Sequence, residues 1–97
     1  MFRHVVLFTW GDAVTEEHKR EVDAELRKLP GTIEEVRDYR VGPDAGLNPG
    51  NRDFAVVADF DDAAGYLVYR DHPLHRALVE KYITGHATER AALQYEC

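Results

Sequence analysis

Tyr69, Arg70, Asp71, His72, Pro73, Leu74 and His75 form a run that reads Tyr-x-x-His-Pro-x-His. It sets one phenol and two imidazoles within a single turn-and-helix segment, and it is the only cluster in the chain equipped for chemistry. The chemistry those groups offer is proton transfer. An imidazole titrates near neutrality and exchanges protons at physiological pH, whereas a phenol stays protonated and donates a hydrogen bond to an oxygen that is gaining charge. Serine catalysis is excluded because the chain has no serine, and the lone Cys97 at the last position lacks the shaped surroundings of a nucleophile. Acid–base work or simple binding is what remains.

The segment that carries the cluster reads as a helix start. Pro73 suits the first helical position, where its missing N–H costs nothing, and it pushes His72 towards an extended backbone. The helix is expected to run to about Ile83 and to be ended by Gly85. Along it His75, Val79 and Tyr82 share one stripe, flanked by Leu74 and Leu78, so the His75 ring should face the interior. Burial would lower its pKa and favour the neutral form that a base requires. The competing reading is a satisfied core histidine, bonded to Tyr69 or to a main-chain carbonyl. His72 reads as structural, and His72 and His75 lack the i, i+4 spacing of helical metal ligands. No metal and no cofactor is called for. His18 and His86 stand in polar neighbourhoods and read as isolated surface residues.

Strands and a second helix complete the frame. Phe2, His4, Val6, Phe8 and Trp10 alternate with Arg3, Val5, Leu7 and Thr9, a strand apolar on both faces. Thr15 can cap a helix whose first turn holds Glu16 and Glu17 and whose apolar stripe is His18, Val22, Leu26 and Leu29, ended by Pro30 and Gly31. Ile33 to Val41 reads as a second strand, with Tyr39 and Val41 on one face. Gly42 to Asn51, with three Gly, two Pro and two Asn, reads as a loop. Phe54 to Phe60 gives a third strand, Asp61 or Asp62 can cap a short helix through Tyr69, and Arg90 to Glu96 supplies a fourth strand. Strand, helix, strand, strand, helix, strand is the ferredoxin-like α+β order, with two helices on one face of a four-stranded antiparallel sheet.

That arrangement leaves one sheet face bare. Phe2, Val6, Phe8, Trp10 and Phe54 read as too many to face the helices in register, so an apolar face is expected to be open. A second copy would cover it sheet to sheet, giving a homodimeric barrel with a cavity between the sheets. A net charge of −6 argues against nucleic acid and anionic lipid as partners. The 97 residues fit one domain, 1–97, and hold no apolar run of membrane-spanning length. With no internal disulfide possible, the chain suits a reducing cytoplasm.

The opening Arg3-His4-Val5-Val6-Leu7-Phe8, the helix start Val14-Thr15-Glu16-Glu17, the Gly42 closing the second strand and the Tyr69-x-x-His72-Pro73-x-His75 element together resemble the stress-responsive dimeric A/B barrel domain family. The resemblance covers nearly the whole chain and implies a ferredoxin-like subunit paired as a homodimer. It also implies distant similarity to plant polyketide cyclases of this fold, whose functional tyrosine and second histidine correspond to Tyr69 and His75. His75 would then abstract a proton between two carbonyls, and Tyr69 would bond the oxygen that becomes negative. His4 matches a histidine near the start of those cyclases, while Phe54 stands where they carry another, which makes this pocket less polar. The expected pocket is lined by His4, Phe2, Val6, Phe8, Phe54, Val79 and Tyr82 and accepts a small hydrophobic or aromatic ligand. Three functions follow: ligand binding without turnover, cofactor-free acid–base catalysis of the cyclase type, and, by analogy of fold alone, an oxygenase of the dimeric-barrel kind.

Overall fold

Alternating branched and aromatic side chains make β1 (Phe2–Trp10), the strand on which the sheet is built. The computed structural model describes residues 1–97 and continues with α1 (Glu16–Leu26), β2 (Asp38–Pro43), β3 (Phe54–Phe60), α2 (Ala63–Asp71), α3 (Pro73–Leu78) and β4 (Ala87–Glu96). All strand pairs are antiparallel, in the order β2-β3-β1-β4. The fold is ferredoxin-like α+β, with the helices on one face of the sheet. No helix is long and apolar enough to cross a membrane.

The helix starts follow their side chains. Thr15 accepts from the His18 N–H and Asp62 from the Gly65 N–H, each satisfying a donor the first turn leaves free. Pro73 opens α3 as its composition predicts, and the His72 imidazole caps it by accepting from the Leu74 N–H at 3.1 Å. Beyond Leu78 the helix widens into a π-type turn over Val79–Ile83, and Gly85, at φ +80°, reverses the chain into β4.

Three strand boundaries differ from the sequence reading: the second strand runs on to Pro43, since Gly42 and Pro43, expected in the loop, pair with Ala55 and Phe54 of β3, and two strands start elsewhere. The second strand begins at Asp38 rather than Ile33, because Ile33 and Val36 are buried in turns that close the end of the core instead of alternating along a strand. The fourth begins at Ala87, three residues before Arg90, since Trp10 on β1 reaches far enough to pair with it.

The more consequential difference concerns faces. The β1–β3 register sets Phe2 opposite Phe60, His4 opposite Ala58, Val6 opposite Val56 and Phe8 opposite Phe54, so all of these lie on the helix-covered side with Trp10. The expectation that Phe2, Val6, Phe8, Trp10 and Phe54 could not share that face is therefore wrong. Bulk is graded along the sheet: Phe8, Phe54 and Trp10 cluster at one end, where Trp10 meets His18 of α1, while Ala58 and Val56 leave depth beneath the helices in the middle.

The opposite face carries the odd-numbered residues of β1. Val5 and Leu7 stand beside Val57 and Ala55 of β3 and beside Leu93 and Ala91 of β4, with Leu93 62 % exposed. At one edge of this apolar surface Arg3 donates to both carboxylate oxygens of Asp59, at 2.7 and 2.8 Å, in a bidentate pair that leaves Asp59 buried.

Candidate functional site

One rung of the sheet organises the site. Tyr39 on β2 pairs with Ala58 on β3, Ala58 with His4 on β1, and His4 with Gln94 on β4, all on the helix-covered face. Ala58 offers only a methyl, which leaves room for Tyr69 to descend from α2 onto the rung. Tyr69 is 2 % exposed, and its ring lies 6.0 Å from that of Tyr39, 6.3 Å from His4 and 5.3 Å from Phe60. Its hydroxyl meets the Tyr39 hydroxyl at 2.9 Å.

His75 arrives from the first turns of α3. Its ring centroid is 4.2 Å from that of Tyr69, and its Nδ1 is 3.1 Å from the Arg70 carbonyl oxygen. A carbonyl can only accept, so Nδ1 carries the hydrogen and the lone pair of the neutral ring is on Nε2. The same segment thus orients its histidine and selects its tautomer. Gln94 Nε2 lies 2.8 Å from His4 Nδ1 and fixes the second imidazole.

His4, Tyr39, Tyr69 and His75 line a cavity of about 460 Å³ between helices and sheet within a single chain. Of the residues expected to form the site, it brings together His75, Tyr69, His4, Val6, Phe8 and Val79. The other three lie outside it: Phe2 packs on Tyr66 at 5.7 Å, Phe54 on Trp10 at 6.1 Å, and Tyr82 on His18 at 5.6 Å. The expected position between two sheets is corrected by the register, which turns His4, Val6 and Phe8 towards the chain's own helices. His18 and His86 are not isolated either. Their rings stack at 4.0 Å because the turn at Gly85 carries His86 back over the start of α1, where His86 O accepts from the Gly11 N–H.

Burial drives four groups of the cavity, His4, His75, Tyr39 and Tyr69, towards their uncharged forms. Burial, then the positive charge of Arg90, pushes His4 down to about 4. His75 is lowered mainly by burial, against the opposing pull of the Arg70 carbonyl. Burial pushes Tyr39 up to about 12 and Tyr69 higher still. At neutral pH these four groups are two neutral imidazoles and two protonated phenols.

Residues 2–97 match the family model described as Stress responsive A/B Barrel Domain. The chain belongs to that family. A curated relative, an uncharacterized protein of Streptomyces coelicolor, is 36 % identical over 80 residues, covering 79 % of this A/B barrel chain and 81 % of the relative. A solved structure from Thermobifida fusca, described as a dimeric ferredoxin-like protein of unknown function, is 44 % identical with a TM-score of 0.91, covering 99 % of this chain and 90 % of that one. A hydroxynitrile lyase from Passiflora edulis shares the fold at a TM-score of 0.84 and 16 % identity, over 97 % and 90 % of the two chains.

Tyr39, Tyr66, Arg70 and Arg90 of this A/B barrel chain also line the cavity and were not anticipated there. Tyr39 carried a usable signal, since its alternation with Val41 placed both on one face, but only the β2–β3 register sets it against Tyr69. The depressed imidazoles have a consequence for folding. His4 is neutral when buried yet titrates near 6.5 in the unfolded chain, so the unfolded state binds the extra proton first. Stability is expected to be full above pH 6.5 and to fall between there and about 4. Thermal melting across this window should show the loss, and His4→Gln should flatten it. An unchanged slope in that variant would remove His4 as the cause.

Proposed function

We propose that this A/B barrel protein is a homodimer whose helix–sheet cavity binds a small, largely apolar carbonyl compound and moves a proton on it by cofactor-free acid–base catalysis. The observation that carries the reading is the approach of Tyr69 and His75 to 4.2 Å on one cavity wall, with His75 Nδ1 tied to a carbonyl and Nε2 left basic. Nε2 takes the proton from a carbon beside the carbonyl, and the oxygen that becomes negative accepts a hydrogen bond from Tyr69. When Tyr39 donates to Tyr69, the Tyr69 hydrogen is free for that role, and the donor is strengthened by the bond it accepts. The affiliation with the hydroxynitrile lyase by fold supports including cyanohydrins, whose cleavage begins with loss of a hydroxyl proton, among candidate substrates. The oxygenase alternative has shared topology behind it and no residue of the cavity.

The dimer reading is supported by the dimeric Thermobifida relative and by the open face of Val5, Leu7, Val57 and Leu93. An apolar surface of that kind gains by meeting its own copy. Sedimentation should give twice the chain mass, and Val57→Glu should return a folded monomer.

Two assays test the chemistry on the wild-type protein. Deuterium exchange at the central carbon of 1-phenylbutane-1,3-dione, followed by NMR in D₂O, and release of benzaldehyde from mandelonitrile should each be compared with buffer. Acceleration of either supports catalysis. Binding without acceleration of both would reduce the cavity to a ligand carrier.

A further inference from the structure

Two arginines, Arg70 and Arg90, both open to solvent, are among the residues lining the cavity, and no Asp or Glu is. In a chain with 18 Asp and Glu against 12 Lys and Arg, this is a local reversal of sign. The two cations are not equivalent. Arg70 donates to both oxygens of Asp71, at 2.9 and 3.1 Å, and is already neutralised. Arg90 has no ion-pair partner in the chain. It pairs with Phe8 across the β1–β4 ladder, which places it on the helix-covered side of the sheet, two rungs along from Gln94 and His4. Its charge reaches both imidazoles and helps to keep each of them deprotonated.

We infer that Arg90 is the anion-recognising residue of this cavity and that the ligand is an acid, a single carboxylate joined to an apolar body that carries the reacting group. The inference rests on the reading of the cavity as a ligand site and adds the chemical class of the ligand. A guanidinium offers parallel N–H donors that match the two oxygens of a carboxylate. One free guanidinium balances one negative charge, whereas a phosphate dianion would leave an uncompensated charge beside Val6, Phe8 and Val79. With the carboxylate on Arg90, the apolar body extends along that wall towards Tyr69 and His75. Arg90 selects and orients, and does not touch the proton in flight.

The test compares 3-phenylpropanoate with its neutral analogue 3-phenylpropanamide by calorimetric titration. The wild-type protein should prefer the acid by about tenfold or more, as a charge-assisted pair requires. In Arg90→Gln the preference should disappear through weaker binding of the acid alone. Arg37→Gln, which removes the same charge from a distant ion pair with Asp61, should keep it. Equal binding of acid and amide in the wild-type protein would overturn the inference and leave the ligand cavity standing. Loss of the preference in both variants would also overturn it, assigning the effect to net charge. Failure of the wild-type protein to bind either compound would bring down the cavity reading and the inference with it.

Discussion

In the His75→Gln variant the catalysed proton exchange is expected to fall by about 10²–10⁴-fold, the usual contribution of a positioned general base. Glutamine occupies a similar volume and its amide can still donate to the Arg70 carbonyl, so the turn at Pro73 and the melting temperature should be preserved. What it lacks is a nitrogen lone pair that accepts a proton. Tyr69→Phe removes only a hydroxyl and should cost about 10²–10³-fold, the scale of one lost donor to a developing oxyanion. The pH profile separates chemistry from packing. A base works deprotonated, and burial lowers the His75 pKa, so the wild-type rate should rise with pH on the acid side of 6.5 and be level at neutrality. A variant that keeps the wild-type rate and the same acid limb would show that His75 is a packed core residue and nothing more.

The largest loss of stability is expected from Phe60→Ala, at about 3–5 kcal/mol against a total of about 5–15 for a domain. Phe60 is fully buried at the end of β3, and its ring contacts those of Tyr66 and Tyr69 at 5.8 and 5.3 Å. Helix α2 bears on the same side chain, since Gly65 approaches the Phe60 Cβ closely enough that an added methyl at Gly65 would lie 3.5 Å from it. A void there cannot close without moving α2, and α2 positions Tyr69. Chemical denaturation should report the drop in midpoint, and ligand affinity should fall at protein concentrations where the variant remains folded. A loss under about 1 kcal/mol would mean that the helix collapses onto the sheet and heals the void.

The parts of this molecule written in local chemistry were readable from the chain. Thr15, Asp62, Pro73 and Gly85 act on their immediate neighbours, and each does in three dimensions what its residue type implies. Tyr69 and His75 lie six positions apart across one helix break, so their approach was visible in the motif. The face of β1 was harder, because both of its faces are apolar and nothing on the strand says which one the helices cover. Register with β3 decides it, and register is a long-range property. Arg90 shows the same limit. Its place on the cavity wall depends on its pairing with Phe8, 82 positions earlier, and no pattern within β4 announces it.

The pleat of β1 divides two kinds of selection between adjacent residues. His4, Val6 and Phe8 line the cavity, while Arg3, Val5 and Leu7 stand on the opposite face of the sheet. A lineage can rewrite the even-numbered set and reshape the cavity, leaving the odd-numbered set and the opposite surface untouched. One nine-residue strand thereby lets the cavity lining drift while the outer surface of the sheet stays put.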